Sequence, residues 1–130
     1  MRKAIVMLLL AVVSSGAAAE WVKVGETSSA TVYVDPATVR RDGDLVKIET
    51  LYDLKAAIVS KNNGKAYTSQ KSQSAYDCKE AQWRMLSFSW YSKNMSEGKM
   101  VEYLSDTYKW EPIRPGSGVE MLWQFACGKR

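Results

Sequence analysis

The 130-residue chain contains no histidine. That absence removes the commonest general base, the Ser-His and Cys-His nucleophile pairs, and most zinc sites. No Walker loop and no G-x-G-x-x-G stretch is present, so no phosphate cradle is written in the sequence. Ser96-Glu97-Gly98-Lys99 matches S-x-x-K in letters only, since it falls in a predicted hairpin and no K-T-G follows. Asp42-Gly43-Asp44 reads as a turn, because two carboxylates without further oxygen ligands do not make a calcium loop. No metal and no cofactor is therefore expected, and no nucleic acid, since basic residues are scattered rather than clustered. A carboxylate pair such as Asp53 and Asp77 is the one catalytic arrangement left, and nothing in the sequence brings the two together.

Long apolar runs are also missing, with one exception. Met1-Arg2-Lys3 precedes an apolar run over residues 4–13, and Ala17-Ala18-Ala19 follows it. A short positive segment, an apolar core and small residues at the cut describe a secretory signal peptide, too short for a spanning helix. The expected organisation is a signal peptide over residues 1–19 and one domain over residues 20–130. Cleavage takes Arg2 and Lys3 with it, so 18 basic residues become 16 against 14 acidic ones, a formal charge of +2. A lipid anchor needs a cysteine just after the cut, and Glu20 and Trp21 stand there instead. The mature chain is expected to be soluble, periplasmic or secreted, without a transmembrane segment and not a lipoprotein.

Cysteine is scarce: Cys78 and Cys127 are the two in the chain. In an exported protein two cysteines are most simply one disulfide. Around them the pattern is mainly β. Residues 20–24 read as a first strand and 31–34 as a second. Asp35-Pro36 suits the start of a helical turn, with Val39 plugging it onto the core. Residues 45–54 alternate as a long third strand with one wet face, and Asn63-Gly64 signals a hairpin. A polar fourth strand over 66–78 reads as an edge or a curled segment. Residues 83–91 are the most apolar strand, expected at the sheet centre, and 99–104 are the last. Short connections imply a meander, because parallel pairing needs longer crossovers.

The last stretch, residues 115–129, organises the rest. Ser117 and Glu120 stand in the S-x-x-E relation of a capping box, and Gly128 suits a left-handed helix end. Val119, Leu122, Trp123 and Ala126 share one face. The expected fold is thus α+β: an antiparallel β-meander of about six strands, a C-terminal helix packed on it, and one disulfide between Cys78 and Cys127.

Aromatic residues are plentiful, with five Trp and seven Tyr. Trp21, Trp83, Trp90 and Trp123 are expected in the core. Trp110 differs, because it lies in a Pro-marked loop after Tyr108. Tyr108 and Trp110 are therefore the candidate ligand-binding residues.

Several short pieces together resemble a known family. They are Trp21-Val22-Lys23-Val24-Gly25, Val34-Asp35-Pro36-Ala37-Thr38-Val39-Arg40 followed by Asp42-Gly43, Tyr76-Asp77-Cys78, and Phe125-Ala126-Cys127. In that order they resemble the surface-adhesin protein E-like family of Gram-negative bacterial envelope proteins. The resemblance implies a six-stranded antiparallel sheet with a C-terminal helix held by a disulfide. For function it implies a small non-catalytic, adhesin-like module of the cell envelope. Its partners would be extracellular-matrix or envelope proteins. The alternative is a structural or stress-related periplasmic protein with no dedicated ligand.

Overall fold

A computed structural model describes residues 20–106 and 108–128 of the chain. The signal peptide expected over residues 1–19 lies outside the described residues. Strands β1 (Val22–Glu26), β2 (Ala30–Asp42), β3 (Leu45–Val59), β4 (Ala66–Asp77), β5 (Gln82–Tyr91) and β6 (Met100–Ser105) follow one another. They pair in that same order, all antiparallel. A two-residue strand β7 (Glu111–Pro112) pairs with the start of β5, and helix α1 (Gly118–Cys127) ends the chain.

One face of the sheet carries the core. Val32 and Val34 of β2, Val46 and Ile48 of β3 and Tyr76 of β4 are buried together with Leu122 and Ala126 of α1. The period of two in β3 produces this directly, putting Val46, Ile48, Thr50 and Tyr52 on the helix side and Lys47, Glu49 and Asp53 on the other. Val39 packs against the same cluster, as its sequence position suggested. The helix lies over β1 to β4.

The helix ends follow the sequence signals. The Ser117 hydroxyl accepts from the Glu120 N–H at 3.1 Å. The Glu120 carboxylate reaches back to the N–H of Gly116 at 2.9 Å, one residue before the cap. Gly128 closes the helix with φ +67°, donating its N–H to Gln124 O. The helix starts on glycine for a steric reason. A Cβ at Gly118 would stand 2.9 Å from the Tyr52 hydroxyl oxygen.

Cys78 follows the end of β4 and Cys127 closes α1. Their sulfurs are bonded, with Cα atoms 5.5 Å apart.

Four local expectations need correction. Asp35-Pro36 opens no helical turn; β2 runs through it as a strand whose register shifts between Asp35 and Arg40. Pro36 has no N–H to give a ladder, so the strand bulges there. The Asp35 carboxylate caps the bulge by accepting from Ala37 N–H, and Thr38 Oγ1 accepts the Glu49 N–H that the bulge would leave unpaired. Second, β4 is no edge, since it lies between β3 and β5. Two short hairpins fix its neighbours whatever its hydrophobicity, and its serines Ser69, Ser72 and Ser74 are buried. Third, β5 is not the sheet centre, because it is next to the last strand. Fourth, no tryptophan is fully buried. Trp83 and Trp123 pack on the margin of the core, while Trp90 lies flat on Tyr67, ring centroids 4.2 Å apart.

The β5–β6 connection folds back over the sheet as a 3-10 turn at Asn94–Ser96. Met95 and Ser96 hold φ of 59° and 58°, conformations that cost a non-glycine residue free energy. Side chains of the sheet hold them there. The Asp53 carboxylate accepts from Met95 N–H at 2.7 Å and from the Asn94 amide at 3.0 Å. The Ser69 hydroxyl accepts from Ser96 N–H and donates to Lys93 O. Asn94, formally a glycosylation acceptor, spends its amide on this anchor.

Candidate functional site

The helix leaves the far part of its own sheet face uncovered. Directly opposed residues share a face in an antiparallel ladder. Gln70 pairs with Trp90 and Ser72 with Phe88, so both aromatics point to the helix side, beyond the helix. Leu104 of β6 pairs with Phe88 and continues the same face, 40% exposed. The rings of Phe88 and Trp90 are 4.9 Å apart, and the Trp90 indole donates to the Gln70 side chain at 2.7 Å. These bonds set the aromatic row in place without burying it.

The outer edge of β5 is paired twice and is interrupted between. β6 pairs with residues 87–91, and β7 with Gln82 and Trp83. Between these two ladders the chain swings out through Tyr108, Lys109 and Trp110. A cleft of about 460 Å³ results. Its floor is Trp83, Met85 and Phe88, and its far wall is Tyr108. Lys109 and Arg84 bring positive charge to it, with Glu111 as the one acidic residue lining it.

The two candidate contact residues thus have different surroundings. Tyr108 lines the cleft. Trp110 does not line it; its ring lies beneath the Arg84 guanidinium, 4.9 Å from the centroid. This cation–π contact fixes Arg84 against the loop. The Arg84 Nε–H is buried and has no hydrogen-bond partner among the described residues. Trp83, expected as filler, is half-buried and borders the cleft, while β7 holds the backbone beside it. Sequence reading missed that role because an apolar strand position looks the same whether or not a helix covers it.

The carboxylates Asp53 and Asp77 are not brought together. Asp53 of β3 faces Ser69 of β4, whereas Asp77 of β4 faces Leu45, eight residues before Asp53 on β3. Asp53 anchors the 3-10 turn. Asp77 accepts from the N–H groups of Glu80 and Lys79, and the Glu80 bond foremost holds its carboxyl below the ordinary range. Among the described residues no cluster of three metal-ligating side chains occurs, and no helix is long and apolar enough to cross a membrane.

With the sheet, the stapled helix and the cysteine positions defined, the comparison with known proteins is direct. The family model described as surface-adhesin protein E matches residues 21–128. The chain belongs to the surface-adhesin protein E family. Solved structures share the fold at low identity. A crystal structure of protein E from non-typeable Haemophilus influenzae is 12% identical with a TM-score of 0.62, covering 83% of this chain and 75% of that one. A second crystal form of Haemophilus influenzae protein E gives 12% identity and a TM-score of 0.61, covering 86% and 97%. No curated protein is significantly similar to the chain. The surface-adhesin family therefore has a member here whose sheet, terminal helix and disulfide match the expectation from sequence.

Proposed function

We propose that this chain is an exported, non-catalytic protein-binding module of the bacterial envelope, cut after residue 19 and working as a single domain over residues 20–130. It engages an extracellular-matrix or envelope protein through the cleft at Tyr108 and the adjoining aromatic row of β5. The observation that carries this is the uncovered strip Trp83, Met85 and Phe88, joined to Trp90 and bordered by Tyr108. Aromatic and Met side chains with an adjacent Arg are the composition of protein-binding surfaces, and energetic anchors concentrate in Trp, Tyr and Arg. Family membership supports the adhesin-like reading, and the absence of histidine removes the usual general base.

Immobilised matrix proteins and an envelope extract test it. Wild type should be captured, and Tyr108→Ala and Trp110→Ala should weaken capture at least about tenfold, as expected for truncated anchors. Capture of nothing, or equal capture of all three forms, overturns the reading. Glu20 and Trp21 stand where a lipid-bearing cysteine would follow the cut, and this favours a second reading, a soluble periplasmic structural or stress-related protein. Cell fractionation decides between them. Recovery in the periplasm, with a deletion phenotype limited to envelope stress, favours the second.

A further inference from the structure

The tip of the β3–β4 hairpin reaches across to the edge strand β6. Asn63 Nδ2 donates to Val101 O at 3.1 Å and, at the longer distance of 3.4 Å, to Glu102 Oε1. Asn62 Nδ2 donates to Glu102 Oε2 at 2.9 Å. No ladder joins β3 or β4 to β6, so two side-chain amides tie together elements that the sheet leaves apart. Glu102 stands opposite Trp90, whose ring lies on Tyr67 at the base of the hairpin. The tie therefore spans the far end of the aromatic row.

The tie rests on a chemically fragile dipeptide. Gly64 takes φ +71°, which glycine adopts freely, so the turn itself calls for glycine after Asn63. Glycine has no Cβ, and nothing lies within 4 Å of the place where one would stand. An asparagine before glycine is thus open to attack by the next main-chain nitrogen, which closes a five-membered ring. Both residues are exposed to water. Asn63 Oδ1 accepts from Lys65 N–H at 3.0 Å, which draws electrons from Cγ and favours the attack. Two bonds oppose it. Gly64 N–H is donated to Ser60 O at 2.9 Å, and Nδ2 is held on β6.

We propose that Asn63 is a site of spontaneous deamidation, restrained by the tie to β6 and releasing that tie once converted. The Gly64 nitrogen bonds to Asn63 Cγ as the Cγ–Nδ2 bond breaks, and the Gly64 proton leaves with the amide as ammonia. Water then opens the imide ring. Opening at Cγ gives aspartate; opening at the main-chain carbonyl gives isoaspartate. Either product carries a carboxylate where an amide stood, and a carboxylate only accepts. Aspartate at this position would face the Val101 carbonyl and the Glu102 carboxylate, both acceptors and one of them charged. The donor is lost and like charges repel across the same gap. Isoaspartate also lengthens the main chain inside the turn.

Incubation of the folded protein at mildly alkaline pH tests this, read by ammonia release and by peptide mass spectrometry. Conversion should be confined to Asn63. Asn62 and Asn94 precede Asn63 and Met95, whose side chains hinder the ring, and serve as internal controls. Glu102→Ala removes the carboxylate that holds both amides and should speed conversion about fivefold, the equilibrium worth of one hydrogen bond. Asn63→Asp, made directly, should raise amide exchange at the hairpin tip and along residues 100–105 while α1 stays protected. Should that variant fail to fold, partly converted wild type gives the same comparison. Three results would each overturn the proposal. One is an intact Asn63 in the folded protein over a period in which the urea-unfolded chain converts. The others are an unchanged rate in Glu102→Ala and conversion without faster exchange in β6.

Discussion

The indole Nε1 of Trp123 donates to the main-chain carbonyl of Asp77 at 3.1 Å. The next residue after Asp77 is Cys78, whose sulfur is bonded to Cys127 in the last turn of the same helix. One turn of α1 is therefore tied twice to the end of β4, once covalently and once through an indole. Both ties act near the C-terminal end of the helix. Its other end is positioned by the close approach of Gly118 to Tyr52.

The covalent tie closes a loop of 49 positions. On the chain-entropy model such a bridge stabilises by about 4 kcal/mol. The double variant Cys78→Ser/Cys127→Ser should lose about that much in urea unfolding, provided it still folds. Trp123→Phe keeps most of the packing and removes the hydrogen bond, so a smaller loss of about 1 kcal/mol is expected. The two losses should add to less than their sum in the combined variant, because both changes release the same turn. Full additivity would show that the two ties act independently.

Stability should fall at alkaline pH. Burial pushes the Tyr52 hydroxyl up to about 12, and burial, with Tyr52 second, pushes Tyr76 higher still. The Ser74 hydroxyl beside Tyr76 opposes this only in part. A raised folded-state pKa means full stability below about pH 10, where both states hold the proton. Stability then declines as pH climbs from 10 towards the folded value. Tyr52 alone should cost about 2–3 kcal/mol by pH 12. Urea midpoints measured between pH 8 and 12 should trace this decline, and Tyr76→Phe should flatten it. A midpoint constant to pH 12 contradicts the assignment. Glu26 behaves with the opposite sign. Hydrogen bonds from Lys55 and then Lys23 hold it down to about 2, so its share is present above the ordinary carboxylate range and is lost progressively as pH falls from there through about 2.

Much of this fold was legible because local chemistry and tertiary placement agree. Alternation in residues 45–54 told which face of β3 meets the helix, and Ser117, Glu120 and Gly128 marked both ends of α1. The failures lie where position depends on distant partners. Nothing in the serines of β4 says that two hairpins force it between β3 and β5. Pro36 reads as a helix start, and the bond from Glu49 to Thr38, eleven residues away, makes it a strand bulge instead. The site was half visible: Tyr108 and Trp110 stood out as loop aromatics, whereas Trp83 could not be told from core until the reach of the helix was known.

The strained turn at Asn94–Ser96 makes a third test. Its two left-handed residues have no glycine to lower their cost, so the sheet must hold them. Asp53→Ala removes the acceptor for Met95 N–H and the Asn94 amide together. A loss of about 2 kcal/mol is expected, since each bond is worth about 1 kcal/mol. Ser96→Gly in the Asp53→Ala background should recover part of it, because glycine adopts this φ freely. Amide exchange should report where the change occurs. The turn and its contacts on β3 and β4 should lose protection, while the helix should not. Equal loss of protection in α1 would mean that the turn and the helix unfold as one unit.

Gly118→Ala tests the placement of the helix itself. In an isolated helix alanine is favoured over glycine, by up to about 1 kcal/mol at interior positions. Here the added Cβ would stand 2.9 Å from the Tyr52 hydroxyl oxygen and 3.0 Å from its ring. Tyr52 is mostly buried in the sheet, so either its ring or the start of the helix must shift to admit the Cβ. Overpacking of this kind costs about 1–3 kcal/mol, which outweighs the propensity gain. The variant should therefore be less stable than wild type. Tyr52→Phe in the same background should regain part of the loss, because the oxygen is the nearest atom. That rescue distinguishes a steric contact from a general effect on the helix start. A stabilised Gly118→Ala would mean that the first turn of α1 stands further from Tyr52 than described.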